Sequence, residues 1–211
     1  MTTPPTVLPY GDRGLLVELA DTDEVLTWTR AVRQAAPAGV VDLVPAARTL
    51  LVVLSAEADA AAVRASLGGL SGHVDDLEPV EEEVVEVAVR YDGEDLSDVA
   101  RLTGLSEEEV VEAHVGSEWR VGFGGFAPGF GYLVGGDPRL EVPRRESART
   151  AVPAGAVGLA GVFSGVYPRE SPGGWQLIGT TDAVLWDLER DPPALLRPGV
   201  RVRFVRDGGV T

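Results

Sequence analysis

The sequence predicts an α+β protein in two parts, a small α/β sandwich over residues 1–83 followed by a strand-rich barrel domain over residues 84–211. Three observations predict this. A strand-strand-helix pattern occurs twice before residue 71, the aperiodic acidic stretch Gly72–Glu83 separates it from the remainder of the chain, and after Trp119 only short apolar pieces punctuated by Gly and Pro remain. At 211 residues the chain accommodates one large domain or two small ones, and 45% hydrophobic against 24% charged residues suffices for a packed core.

In the first part, Leu15, Val17 and Leu19 alternate with Leu16 and Glu18 after the turn-like Gly11-Asp12, as in a hairpin strand. Asp21 or Thr22 caps a helix whose apolar stripe is Val25, Trp28, Val32 and Ala35, stopped by Pro37 and Gly39. Val40–Val44 and Leu50–Leu54 form a strand pair, and the second, apolar on both faces, is expected to be central. Ser55 is then expected to cap a helix with the stripe Ala60, Val63, Leu67 and Leu70.

In the second part, Val85, Val87 and Val89 alternate with Glu86, Ala88 and Arg90 as a half-buried strand. A helix over Asp95–Thr103 stops at Gly104, and Ser106 with Glu109 forms a capping box for a helix carrying His114. These two helices have helix-turn-helix spacing, but the second presents Glu107, Glu108, Glu109 and Glu112, which a major groove repels. Val200, Val202 and Phe204 against Arg201 and Arg203 close the pattern as a strand.

Charge and composition narrow the chemistry. With 33 Asp and Glu against 18 Lys and Arg, the net charge of −15 disfavours nucleic acid and anionic membranes. All the cations are Arg. Without Lys there is no Schiff base and no Walker-type loop; without Cys there is no thiol nucleophile or disulfide; and His73 and His114 are too few and too far apart for a histidine metal centre. No cationic run leads into an apolar one near Met1, and no 18 apolar residues stand together, so a cytoplasmic protein is expected.

The segment Trp119–Thr180 stands apart. It holds 14 glycines, and its six arginines outnumber its four acids, making it a cationic stretch suited to an anion. Gly129 and Tyr132 in the Gly124–Tyr132 run, Arg144, Arg149 and Trp175 are the candidate substrate-binding residues, with His114 as candidate acid or base. The plain alternatives are barrel-corner glycines, ion-paired surface arginines, a core Trp and a structural His.

The motifs Gly11-Asp12-Arg13, Gly125-Phe126-Ala127-Pro128-Gly129-Phe130-Gly131-Tyr132-Leu133, Pro143-Arg144-Arg145, Val152-Pro153-Ala154-Gly155, Gly165-Val166-Tyr167-Pro168 and Ser171-Pro172-Gly173-Gly174-Trp175 resemble the KipI family. That family includes the B-type subunit of 5-oxoprolinase and proteins labelled allophanate hydrolase subunit 1. The resemblance implies a cyclophilin-like β-barrel domain and pairing with a cyclophilin-fold partner like the C-type subunit of 5-oxoprolinase. With a third subunit, the complex would open 5-oxo-L-proline to L-glutamate using ATP; no metal site is readable. It also implies alternatives: inhibition of a histidine kinase, or a carboxyltransferase-like role on urea or allophanate. Several positions depart from the family pattern: Ser164 and Val166 stand for a usual Thr and Ile, and Ala148 and Ala151 for a common Pro and Arg beside Arg149. Ala156 stands for a usual Ser, Thr180 for a usual Arg and Asp182 for a usual Pro, so a hydroxyl and a guanidinium are missing.

Overall fold

The computed structural model describes residues 5–70 and 83–208. The linker expectation at Gly72–Glu83, and with it His73, lies almost wholly outside the described residues. The chain divides into two compact units, Met1–Glu81 and Glu82–Thr211.

The first unit runs β1 (Thr6–Pro9), β2 (Gly14–Glu18), α1 (Thr22–Ala35), β3 (Val40–Pro45), β4 (Thr49–Leu54) and α2 (Ala60–Leu70). Its antiparallel sheet has the order β1-β2-β4-β3, so β4 is internal. Leu50, Val52 and Leu54 are buried while Leu51 and Val53 are half-buried, so one face of β4 meets the core rather than both. Asp21 caps α1 by accepting from the Glu24 N–H at 2.9 Å. The cap of α2 is Asp59, whose carboxylate accepts from the Ala61 and Ala62 N–H groups at 3.0 and 3.1 Å. Ser55, the expected cap, lies a turn too early. Trp28, Val32, Leu50, Val63 and Leu67 make the core between sheet and helices.

The second unit contains β5 (Val84–Val89), α3 (Leu96–Thr103), α4 (Glu107–Gly116), β6 (Trp119–Gly124), β7 (Gly131–Val134), β8 (Arg149–Val152), β9 (Ala156–Ala160), β10 (Phe163–Val166), β11 (Ser171–Gly173), β12 (Gln176–Thr180) and β13 (Arg201–Arg206). Seven strands form one sheet, ordered β12-β9-β10-β7-β6-β13-β5, and β8 pairs with β11 as a separate ribbon. The large sheet curls until its two edges meet. Arg90, just after β5, exchanges both backbone hydrogen bonds with Thr180, the end of β12, at 2.8 Å each. A single bridge therefore nearly closes a barrel.

Close approach at this seam requires glycine. A Cβ on Gly179 would meet the Arg90 carbonyl, and one on Gly93 would strike the backbone of Leu177 and Ile178. Arg90 also pairs with Asp182 at 2.7 Å and Asp207 at 3.1 Å, and Thr180 Oγ1 donates to Asp92 at 2.9 Å. The Ser106–Glu109 capping box of α4 is complete in both directions. One face of the sheet, with α3 and α4, buries Val87, Val121, Leu133, Leu159, Ile178 and Phe204. The fold is mixed α/β, a nearly closed sheet accompanied by smaller ones.

Candidate functional site

Side-chain alternation along the strands gives the sheet a second buried face. On β9, Val157 and Leu159 enter the main core, whereas Ala156 and Ala160 belong to a separate cluster with Phe130, Val152, Tyr167, Trp175 and Leu177. Small residues on this face make room for rings. A Cβ on Gly158 would lie 3.2 Å from the Trp175 Cβ, and one on Gly165 would lie 3.0 Å from Phe130 and 3.1 Å from Trp175. The aromatic set is continuous: Trp175 meets Phe130 edge-on at 5.4 Å and Tyr132 at 5.6 Å, Tyr132 stacks on Phe123 at 4.4 Å, and Phe130 meets Tyr167 at 5.5 Å.

The glycine-rich loop before β7 extends this set to the surface. Phe126 is 56% exposed and holds φ at 65°, a left-handed conformation that is costly for a bulky residue. Its ring still reaches Phe130 at 5.4 Å and Tyr167 at 6.1 Å. The loop forms one wall of an open groove of about 500 Å³ whose other wall includes Trp186, Leu196 and Arg197. Gly129 sits in that wall at φ 84°, where an added Cβ would stand 3.0 Å from Trp186 and 3.1 Å from the Leu185 carbonyl.

The arginines lie beside the rings. Residues 143–149 run along 173–176: Arg145 N–H donates to the Gly174 carbonyl at 2.8 Å, and the Gln176 amide donates to the Pro143 carbonyl at 3.2 Å. Arg144 is exposed, and its charge, with that of Arg149, acts on the Tyr167 phenol. Arg145 and Arg149 converge on one buried carboxylate, Asp95. Arg149 Nη2 donates to Asp95 Oδ1 at 2.8 Å, Arg145 Nη1 donates to the same oxygen, and the Leu177 N–H donates to Oδ2 at 2.7 Å. Burial pushes the Asp95 carboxyl up, but these hydrogen bonds and the two guanidinium charges outweigh it and hold it below the usual carboxylate range.

His114 lies elsewhere. It is fully buried, 4.3 Å from the Phe204 ring and 5.3 Å from that of Trp119, with Nδ1 2.8 Å from the Tyr91 hydroxyl and Nε2 2.9 Å from Ser164 Oγ. On β10, Ser164 faces His114 while the next residue, Gly165, faces Phe130 and Trp175, so the strand itself stands between the imidazole and the rings. Burial drives its pKa down to about 3, leaving a neutral, hydrogen-bonded ring. The structure thus brings Tyr132, Trp175, Arg144 and Arg149 around one aromatic face, places Gly129 in the adjoining groove, and leaves His114 on the opposite side of the sheet.

Sequence reasoning did not single out Tyr167 and Asp95 as site residues. The Tyr167 hydroxyl packs against Gly173, where a Cβ would collide with it. Gly173, two residues before Trp175, was the available signal. Of the departures from the family pattern, Thr180 and Asp182 serve the barrel seam, and Ala156 packs against the aromatic cluster.

The description "carboxyltransferase domain, subdomain C and D" matches residues 5–196. The chain is 52% identical over 132 residues to the 5-oxoprolinase B subunit of Escherichia coli O157:H7, covering 61% of this chain and 60% of that protein. It is 48% identical over 130 residues to the 5-oxoprolinase B subunit of Bacillus subtilis strain 168, covering 60% and 54%. The alignments thus span somewhat over half the length of these curated relatives. Among solved structures, a conserved uncharacterized protein from Pyrococcus horikoshii superposes with a TM-score of 0.57 at 36% identity over 95% of this chain and 97% of that one. The Kluyveromyces lactis urea carboxylase shares the fold, with a TM-score of 0.69 at 20% identity over 97% of this chain and 23% of its own. No helix among the described residues is long and apolar enough to cross a membrane, and no cluster of metal-binding side chains is present among them.

Proposed function

The chain belongs to the carboxyltransferase domain family, subdomains C and D, and from that membership we propose that it is the B-type subunit of an ATP-dependent 5-oxoprolinase that converts 5-oxo-L-proline to L-glutamate. The observation that carries this reading is the 44–52% identity to 5-oxoprolinase B subunits from three bacteria. Residues 1–83 are taken as an α+β domain and residues 84–211 as a cyclophilin-like barrel domain bearing the site. The protein works in the cytoplasm, paired with a cyclophilin-fold partner of the C type and a third subunit, and is inactive alone.

A lactam resists hydrolysis near neutral pH, and ATP supplies the phosphorylation that makes its oxygen a leaving group. The chain has no lysine for a phosphate loop, so nucleotide contacts are assigned largely to the partners. This chain's share is recognition. Tyr132 and Trp175 offer an apolar wall for a five-membered ring, Arg144 and Arg149 attract its carboxylate, and the Gly129 loop shapes the approach. Exposed Phe126, Trp186 and Leu188 supply apolar surface for association.

Purified alone, the chain is expected to release no glutamate from 5-oxoproline, whereas reconstitution with both partner proteins restores ATP-dependent release. Inactivity of the full assembly on 5-oxoproline, with turnover of urea or allophanate, would move the assignment to the carboxyltransferase-like alternative. The same exposed apolar residues favour one other reading, a regulator that binds and inhibits a histidine kinase. Inhibition of kinase autophosphorylation by the chain alone would select it.

A further inference from the structure

Asp95 occupies the N-cap position of α3, where a carboxylate ordinarily accepts from the first turn of its own helix, yet it makes no side-chain cap bond. Its oxygens are turned outward instead, onto Arg145, Arg149 and the Leu177 N–H, while its own N–H donates to the Leu177 carbonyl at 2.9 Å. One carboxylate, 3% exposed at its side chain, thereby ties together α3, β12 and the arginine-bearing segment.

The two guanidinium groups are not used up by this contact. Among the described residues, three buried side-chain nitrogens lack a hydrogen-bond partner, and two of them are Arg145 Nε and Arg149 Nη1. Opposite charge is also short. Among the described residues, besides Asp95 only Glu94 pairs here, with Arg149 at 3.1 Å, and its side chain is 80% exposed. Next to them lies the Tyr167 hydroxyl, packed against Gly173, which is the cross-strand partner of Arg149; burial raises the phenol pKa and keeps its hydrogen in place as a donor. Two charged forks with unspent N–H groups beside a neutral O–H donor form a set whose complement is a planar anion with two oxygens.

We propose that Asp95 is a positioning residue for a carboxylate-recognition subsite made by Arg145, Arg149 and the Tyr167 hydroxyl, which rests on the oxoprolinase reading and names how that substrate's carboxylate is held. Asp95 fixes one edge of each guanidinium so that the remaining N–H groups are presented together, and Tyr167 adds the third donor.

The test uses the full chain, alone and in the reconstituted assembly, with 5-oxo-L-proline and its carboxamide as probes. Binding is followed by titration calorimetry, and turnover by glutamate release. The carboxylate is expected to bind about tenfold or more tightly than the carboxamide. Asp95→Asn retains an oxygen for the Leu177 N–H, and near-UV circular dichroism checks its fold. Asp95→Asn and Tyr167→Phe should each remove most of the preference for the carboxylate and raise KM with kcat little changed, and Asp95→Glu should recover part of it. Arg145→Gln, a substitution at a partly exposed side chain, should act in the same direction.

Equal binding of both probes, tighter carboxylate binding by Asp95→Asn, or no saturable binding by chain or assembly would overturn the subsite. Preference for the carboxylate without glutamate release would sink the oxoprolinase reading and leave the subsite standing. Normal turnover by variants with an unchanged KM would do the reverse.

Discussion

His114 shows what a titratable residue contributes when the core encloses it. Its folded pKa is about 3 against 6.5 when free, so below about pH 6.5 the unfolded chain takes up a proton that the native chain refuses. Stability is therefore full above that value and falls as pH drops toward 3, by roughly 4 to 5 kcal/mol at the limit if the whole shift is expressed. Asp95 adds to this at lower pH: its depressed pKa gives a contribution that is complete above the ordinary carboxylate range and is lost as pH falls through that range toward the folded pKa. Denaturant titrations from pH 7 to 4 should show the decline, and His114→Gln should flatten it while lowering stability at pH 7 by about 1–3 kcal/mol. The sequence placed His114 on a helix near the glycine-rich motifs, but its neighbours Ser164 and Phe204 come from strands far along the chain, and local pattern cannot supply them. Gly173 is the converse case. Its Cβ would displace the Tyr167 hydroxyl, so Gly173→Ala should cost about 1–3 kcal/mol and disturb the packing of Tyr167 on Phe126 and Phe130. Thermal unfolding with near-UV circular dichroism measures both.

At the level of elements, what could be read from sequence was whatever is settled within a few residues. Asp21, the Ser106–Glu109 box and the Gly104 stop (φ 74°) behave as their spacing predicts, because a cap is a contact across one turn. Ser106→Ala should cost about 1 kcal/mol in a denaturant melt. Asp95 escaped the same logic, since its partners Arg145, Arg149 and Leu177 lie fifty or more residues away. The seam is equally non-local. Gly179→Ala sets a methyl against the Arg90 carbonyl, a backbone atom that cannot swing aside, and should destabilise the second unit by about 2–4 kcal/mol. An unchanged melting temperature for this variant would mean that the Arg90–Thr180 bridge does not hold the sheet closed.

For the whole molecule, each unit owns its core: Trp28, Leu50 and Leu67 fill the first, while Trp119, Leu159 and Phe204 belong to the second. Residues 83–208 expressed alone should consequently give a cooperative thermal transition and native-like near-UV circular dichroism. The period-two and helical stripes made both units legible as element strings, whereas the pairing of β5 with β13 was invisible, since nothing in either strand names its partner. That pairing has a consequence for synthesis. β5 aligns in parallel with β13, Val84 beside Arg201 through Val89 beside Arg206, so an early strand of the unit waits for one made more than a hundred residues later. A nascent chain emerging from the ribosome thus holds β5 with that backbone edge unsatisfied until residue 206 has cleared the exit tunnel, which makes β13 the rate-setting delivery and ribosome-stalled chains ending before it the natural clients of chaperones.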